Sequence, residues 1–233
     1  MDVARTLPNR WKCVRAVNQQ ERLEYHSLIT MDENIKVLLK KFRGKRKDLH
    51  YYLSGFVDGE GSFSIAVIKH PMQRLGWMIN PCFQVYQHEK HREILELCKF
   101  VFQTGSIYRK SGTHPVLNFS INSFRGLTEK VLPFFDTYPL IVKAETYKKF
   151  REIVMAMTRK EHITIDGFKR IVELAYTTNQ QGKGRKHTKE YIFSTLPATL
   201  STHDIQESSE TIRRTPEIRR WYSPCHLAIG GGT

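Results

Sequence analysis

The sequence predicts an α+β domain in which two β-hairpins build one four-stranded antiparallel sheet with helices on one face. Two observations lead there. Four short runs alternate apolar with polar residues and fall into two pairs, each pair joined through glycine- or proline-containing turns. Before, between and after the pairs, apolar residues recur at helical spacing, so the order reads helix, hairpin, helix, hairpin, helix, then further helices. Such an order covers one face of the sheet and leaves the other open.

The elements follow in order. A helix is expected from Tyr51 to about Asp58. From Ser62 to Ile68, Phe63, Ile65 and Val67 alternate with Ser64, Ala66 and Ile68, the period of a half-buried strand. A loop through Pro71 and Gly76 leads to a second strand, Cys82 to His88. His91 to Phe102 carries Ile94, Leu95, Leu97, Cys98, Val101 and Phe102 at helical spacing, and Thr104-Gly105 ends that helix. Ile107 to Lys110 and Val116 to Ile121 form the second hairpin through Ser111-Gly112. Asn122-Ser123 can cap a helix bearing Phe124, Leu127 and Val131, which Pro133 is expected to stop. Tyr147, Phe150, Ile153, Val154 and Met157 mark another helix, and Thr164 begins one more through Phe168, Ile171, Val172 and Ala175. On this reading residues 1–48 are a basic N-terminal extension ending in Lys40, Lys41, Arg43, Lys45, Arg46 and Lys47. Residues 49–178 are the folded domain, and 179–233 are a basic linker, including Gly182 to His187, with a disordered tail.

Composition narrows the partners. A net charge of +14 on 233 residues attracts polyanions, of which nucleic acid is the commonest for a soluble chain. A hydrophobic fraction of 40% suffices for a packed core, and no apolar run is long enough to span a membrane, so no membrane partner is expected. Cys13, Cys82, Cys98 and Cys225 are scattered without a C-x-x-C pair, which argues against a zinc site or a disulfide framework and suits a reducing compartment. Asp2, Glu21 and Glu24 lie where a secretory signal would be apolar and a transit peptide free of acids. An intracellular location follows.

The most informative string is Leu53 to Gly61, LSGFVDGEG. On a helix, Gly55 and Gly59 lie one turn apart on one face, where missing Cβ atoms let a second helix approach to backbone contact. Each glycine inside a helix costs about 1 kcal/mol relative to alanine, so the pair implies a packing need. Glu60 is left at the tip of the paired helix. If the partner is a second copy, two Glu60 carboxylates meet, and like charges that close call for a cation. Oxygen ligands with dense negative charge suit Mg²⁺.

LSGFVDGEG resembles the signature of the LAGLIDADG homing endonucleases, matching at Leu53, Gly55, Asp58 and Gly61, with Glu60 at the metal-binding acidic position. The resemblance runs from about Leu53 to about Tyr176. It implies an αββαββα fold whose saddle-shaped open face lies along the DNA major groove. With one motif in the chain, it implies a homodimer meeting through Leu53, Gly55, Phe56 and Gly59. It implies an endonuclease dependent on Mg²⁺ (or Mn²⁺) that makes a double-strand break in a long, nearly palindromic target and so promotes intron mobility. The family pattern puts the catalytic roles on Glu60, on Gln87 in FQVYQ and on Lys143 in PLIVK, with the backbone carbonyl of Gly59 as a further metal ligand. Gln87 would order solvent at the scissile phosphate, and Lys143 would activate water or steady developing charge. Asp58, two residues before Glu60, reads as a cap or helix-contact residue. The alternation assigns Ser64, Ala66, Ile68, Gln84, Tyr86 and His88 to the open face, and these, with Tyr108 and Lys110, are the candidate contacts to double-stranded DNA. Competing readings are an intron-RNA-binding splicing cofactor and a DNA-binding regulator that does not cut. The resemblance implies a bacterial cytoplasm or an organelle matrix as the compartment.

Overall fold

A computed structural model describes residues 33–42, 46–110, 114–178 and 185–197. The chain divides into two units, Met1–Arg46 and Lys47–Thr233. In the first, α1 (Glu33–Lys41) ends on Lys40 and Lys41, whose charges suit the negative end of a helix dipole. The Ser111-Gly112 turn, Cys13, Cys225 and Gly182 to Gly184 lie outside the described residues.

The second unit holds α2 (Arg46–Glu60) from Lys47 onward, a helix that begins five residues before Tyr51 and runs past Asp58. Leu49, Leu53 and Val57 recur every fourth residue and are buried, and this stripe, with Ser54, extends the helix in both directions. The stripe also corrects one expectation. Leu53 is 0% exposed inside its own core and offers no surface to a second chain. On another face Tyr51, Gly55 and Gly59, also four apart, are exposed.

Gly61 starts β1 (Gly61–Lys69) directly after the helix. A Cβ there would lie 2.5 Å from Val57 Cγ1 and 2.6 Å from the Val57 carbonyl oxygen, so the sharp exit requires glycine. β2 (Trp77–His88) is longer than the sequence suggests, because it continues through Pro81. Pro81 lies where β2 has β1 on one side only, since β4 (Val116–Ile121) joins from Phe83 onward, and proline is tolerated at such an edge. With β3 (Ser106–Arg109) the sheet is four-stranded, antiparallel and ordered β1, β2, β4, β3. The predicted α+β architecture is therefore present.

The register fixes the faces. Phe63 opposes Phe83, which opposes Ile121, and Val85 opposes Phe119, all buried toward the helices. The intervening residues, Ser62, Ser64, Ala66 and Ile68 with Gln84, Tyr86 and His88, occupy the opposite face, as the alternation predicts. α3 (Arg92–Phe102) contributes Leu95, Cys98 and Phe102 to the core and ends in a left-handed Gln103. Cys82 and Cys98 are buried and form no disulfide among the described residues.

Pro133 does not stop its helix. α4 (Phe124–Gly126), capped by Ser123 Oγ, leads into a π-helical turn at Leu127–Val131 and then α5 (Leu132–Thr137), with Pro133 in the first turn of α5. The ring sits where a helix begins afresh after a widened turn, and its missing N–H interrupts no regular ladder. α6 (Ala144–Thr158) and α7 (Ile165–Tyr176) complete the helical layer.

Residues 185–197 depart from the linker and tail expected beyond residue 178. α8 (Lys189–Ser194) buries Ile192 fully, and Trp77 Nε1 donates to Thr195 Oγ1 at 3.0 Å. Arg185, expected in a basic linker, instead donates to the Ile65 carbonyl at 2.8 Å and the Ala175 carbonyl at 2.6 Å while stacking on Tyr176. Burial lowers its pKa from the ordinary arginine value. The sequence signals for this helix are the short hydrophobic set Tyr191, Ile192 and Phe193 and the capping residue Thr188 before it.

Candidate active site and nucleic-acid face

Two helix ends meet and cap each other beside Glu60. Asp58, in the last turn of α2, receives the backbone N–H groups of Ile141 at 3.0 Å and Val142 at 2.8 Å on Oδ2, and of Lys143 at 2.8 Å on Oδ1. These donors precede the first turn of α6, where the N-cap Lys143 supplies no capping bond of its own. A carboxylate from another helix therefore fills the N-terminal cap and complements the α6 dipole. In return, Lys143 Nζ donates to the Gly59 carbonyl at 2.7 Å and to the Asp58 carbonyl, at the negative end of α2. Burial alone would raise the Asp58 pKa, but the three N–H donors and the Lys143 charge outweigh it and hold the carboxyl below its ordinary value of 3.8. One turn earlier Ser54 Oγ donates to the Tyr138 carbonyl at 2.8 Å, fixing the same segment.

Glu60 is the residue left over. It is exposed, and its carboxylate has no hydrogen-bond or ion-pair partner among the described residues. No cluster of three or more His, Cys, Asp or Glu occurs among them. The chain thus offers a single uncommitted carboxylate beside two main-chain carbonyls already attractive enough to hold an ammonium. That donor set fits part of the coordination of a hard divalent cation, with remaining ligands supplied from outside the chain. The Gly59 carbonyl, expected as a metal ligand, currently accepts from Lys143.

Gln87 sits two residues beyond the last β1–β2 pair, Gly61 with Val85, so the register brings it to the end of the sheet where α2 gives way to β1. It is half-buried, and its Oε1 accepts the His88 N–H at 2.8 Å.

The open sheet face carries the expected residues in differing states. Ile68 is 41% exposed, Lys110 is exposed, and Ser64, Ala66, Tyr86, His88 and Tyr108 are half-buried. Gln84 is only 5% exposed and is tied to two phenols, accepting from Tyr86 Oη at 3.1 Å and donating to Tyr108 Oη at 3.4 Å. As it stands, Gln84 is oriented toward its neighbours and has little surface for a base. Lys110 Nζ lies 5.2 Å from the Tyr86 ring centroid, and His88 Nδ1 accepts the Lys90 N–H. Asn80, Asn118 and Ser120 share this face and were missed. The signal was present in β4, where Leu117, Phe119 and Ile121 alternate with Asn118 and Ser120.

The dimer-facing residues expected on α2 divide likewise. Gly55 and Gly59 are exposed, and a Cβ on either would meet nothing within 4 Å. Phe56 is half-buried and stacks with the exposed Tyr52. Nearby, Ile141 and Val142 are 87% and 84% exposed.

A glycine-faced helix ending in an uncommitted carboxylate, followed by two hairpins with an open polar face, defines a nuclease-like class of site. The chain belongs to the LAGLIDADG endonuclease family: the family model described by that name matches residues 53–154. It is 32% identical to an archaeal intron-encoded homing endonuclease, I-Vdi141I, solved in complex with DNA. That likeness covers 65% of this chain and 96% of the other, with a TM-score of 0.60. It is 31% identical over 123 residues to the probable intron-encoded endonuclease 2 of Neurospora crassa, covering 52% of this chain and 27% of that protein. It is 38% identical over 87 residues to the DNA endonuclease I-CeuI of Chlamydomonas moewusii, covering 37% of this chain and 40% of that protein. The chain thus spans only about a quarter to two fifths of the length of these curated relatives. No helix among the described residues is long and apolar enough to cross a membrane.

Proposed function

We propose that this protein is a site-specific DNA endonuclease that acts as a homodimer and, with Mg²⁺ or Mn²⁺, cuts both strands of a long, nearly palindromic target to promote intron mobility. The observation that carries this reading is the exposed, unpartnered Glu60 carboxylate at the end of a helix whose glycine face has no use inside the protomer. Pairing two such helices through Gly55 and Gly59 brings two Glu60 carboxylates together and joins two open sheet faces into one surface. Double-stranded DNA is the polyanion that a chain of net charge +14 and this fold would take. I-Vdi141I, similar over 96% of its length, is described as complexed with DNA. The relatives described as intron-encoded support an intracellular place of action, in a bacterial cytoplasm or an organelle.

The chemistry falls to few groups. Glu60 of each protomer would hold the metal, which when bound would neutralise phosphate charge and lower the pKa of a coordinated water. Lys143 carries a charge that can transfer from the Gly59 carbonyl to a phosphate oxygen, where it stabilises negative charge developing on the scissile group. Gln87, at the sheet end, offers an amide that can order solvent there. A splicing or regulatory role without cutting would not require an uncommitted carboxylate at position 60.

Cleavage of plasmid DNA carrying the intronless allele tests the proposal. Wild-type protein should cut with Mg²⁺ and not with EDTA, and Glu60→Gln should bind the same DNA with near wild-type affinity and leave it intact. Cutting that survives EDTA, or that proceeds at the wild-type rate in Glu60→Gln, overturns it.

A further inference from the structure

We infer that the segment 138–142 is a second part of the contact between two copies of this chain, its Ile141 and Val142 side chains seating against the partner's Tyr52 and the partner's Phe56. This deepens the homodimeric reading above and rests on it.

The segment lies along α2 as a strap held at three levels. Where it begins, the Tyr138 ring meets the Tyr51 ring edge-on, with centroids 5.1 Å apart. About one turn further along α2, Ser54 Oγ donates to the Tyr138 carbonyl at 2.8 Å and to the Pro139 carbonyl at 3.3 Å. Near the helix end, the Asp58 carboxylate accepts the N–H groups of Ile141, Val142 and Lys143. Leu140 is turned into the core and is 6% exposed, whereas Ile141 and Val142 are 87% and 84% exposed. The backbone is therefore tied down while two branched apolar side chains are held out in water. Fixed backbone under adjoining exposed apolar groups is the character of a contact surface.

The strap is one wall of a groove. With about 100° between successive residues of a helix, Ser54 and Asp58, which hold the strap, lie to one side of the line through Gly55 and Gly59, and Tyr52 and Phe56 lie to the other. The two glycines form the floor, since a Cβ on either would meet nothing within 4 Å. The stacked rings of Tyr52 and Phe56, with centroids 6.5 Å apart, form the second wall.

Area and symmetry identify the occupant. A helix of 15 residues is about 22 Å long and about 10 Å across, so one face of α2 offers on the order of 200 Å². A stable interface takes about 800 Å² from each partner. Pairing through the glycines alone falls well short, and the two walls are apolar surface continuous with that face. A second copy uses both of them. When two α2 helices pair side by side with their Glu60 ends together, the two-fold axis runs along the helices and turns the strap of each copy toward the ring wall of the other. One rotation makes two identical apolar contacts and leaves neither wall unmatched.

Sedimentation velocity of the full chain at micromolar concentration, with circular dichroism to verify the fold, tests the arrangement. Wild type should be a dimer. The strap variant, Ile141→Lys with Val142→Lys, and the wall variant, Tyr52→Glu with Phe56→Glu, should each raise the dimer dissociation constant on the order of 10²-fold, because both contacts then set charge against an apolar surface. Mixed in equal amounts, the two variants should recover a dimer containing one copy of each by native mass spectrometry. One contact of that mixed dimer pairs lysine with glutamate, and the other is unchanged. If the wall variant loses the native spectrum, Tyr52→Glu alone takes its place, since Tyr52 is 42% exposed. A folded variant of either kind that keeps the wild-type constant, or a mixture that stays monomeric, overturns the strap contact and leaves pairing through Gly55 and Gly59 standing. A monomeric wild type overturns both.

Discussion

The Lys143 ammonium donates to the Gly59 carbonyl oxygen at 2.7 Å across 84 positions of sequence. The contact holds a positive charge beside Glu60, on carbonyls that would otherwise be the negative end of α2. Lys143→Met keeps the aliphatic stem and removes that charge. Single-turnover cleavage with Mg²⁺ should slow by about 10²- to 10³-fold, the usual cost of one electrostatic stabiliser, while affinity for target DNA changes far less. A rate within twofold of wild type would remove Lys143 from the chemistry.

Gly55 has no neighbour within 4 Å of a built Cβ, so a larger residue there should leave the protomer fold intact. Gly55→Leu should therefore convert a dimer into a monomer in sedimentation velocity at micromolar concentration, with an unchanged circular dichroism spectrum. An unchanged mass would mean that the copies meet elsewhere, or not at all.

The Asp58 carboxyl is held below its ordinary value, so the sign of its pH dependence is set. A group with a depressed folded-state pKa stabilises above its unfolded-state value, and that contribution is lost as pH falls through the folded-state value. Asp58→Asn should cost about 1 to 2 kcal/mol near neutrality, a modest figure because the carboxylate is only partly shielded from solvent. Thermal melts should show the gap between wild type and variant shrinking as pH falls below about 4. A gap of the same size at every pH would mean that the charge is irrelevant and only shape matters.

Binding to target DNA should weaken steeply with salt. Neutralising about six phosphates releases counterions worth on the order of 10³ in affinity between 50 and 200 mM monovalent salt. Titration by fluorescence anisotropy measures the slope, and a flat one would assign the +14 charge to another purpose.

What could be read in advance was whatever repeats along the chain. The β1 alternation assigned Phe63 and Ser64 to opposite faces correctly because a strand's period is two, whatever its neighbours are. Periodicity failed where a residue answers to a distant partner. Leu53 belongs to the motif string, but its face is set by Leu49 and Val57, and that stripe turns it inward. Pro133 looked like a terminator because the π-helical turn before it leaves no mark in the sequence. Asp58 read as a cap or helix-contact residue, but which helix it meets was hidden, because that helix begins 86 positions later, at Ala144, and no local pattern points there. Gln84 lay on the expected face, but its burial depends on Tyr86 and Tyr108, one of them on another strand.

The docking of α8 bears on how this protein could be shortened or joined to another. The match to the family model ends at Val154, and a designer cutting at that boundary would stop near there or after α7. That cut would uncover the side of Trp77 that meets Thr195 and His187, and would leave the space filled by Ile192 open. It would also strip Arg185 from the Ile65 carbonyl on the outermost strand, giving other chains a free edge to pair with. A portable version of this protein should therefore run to residue 197, and a fused partner should be attached beyond it.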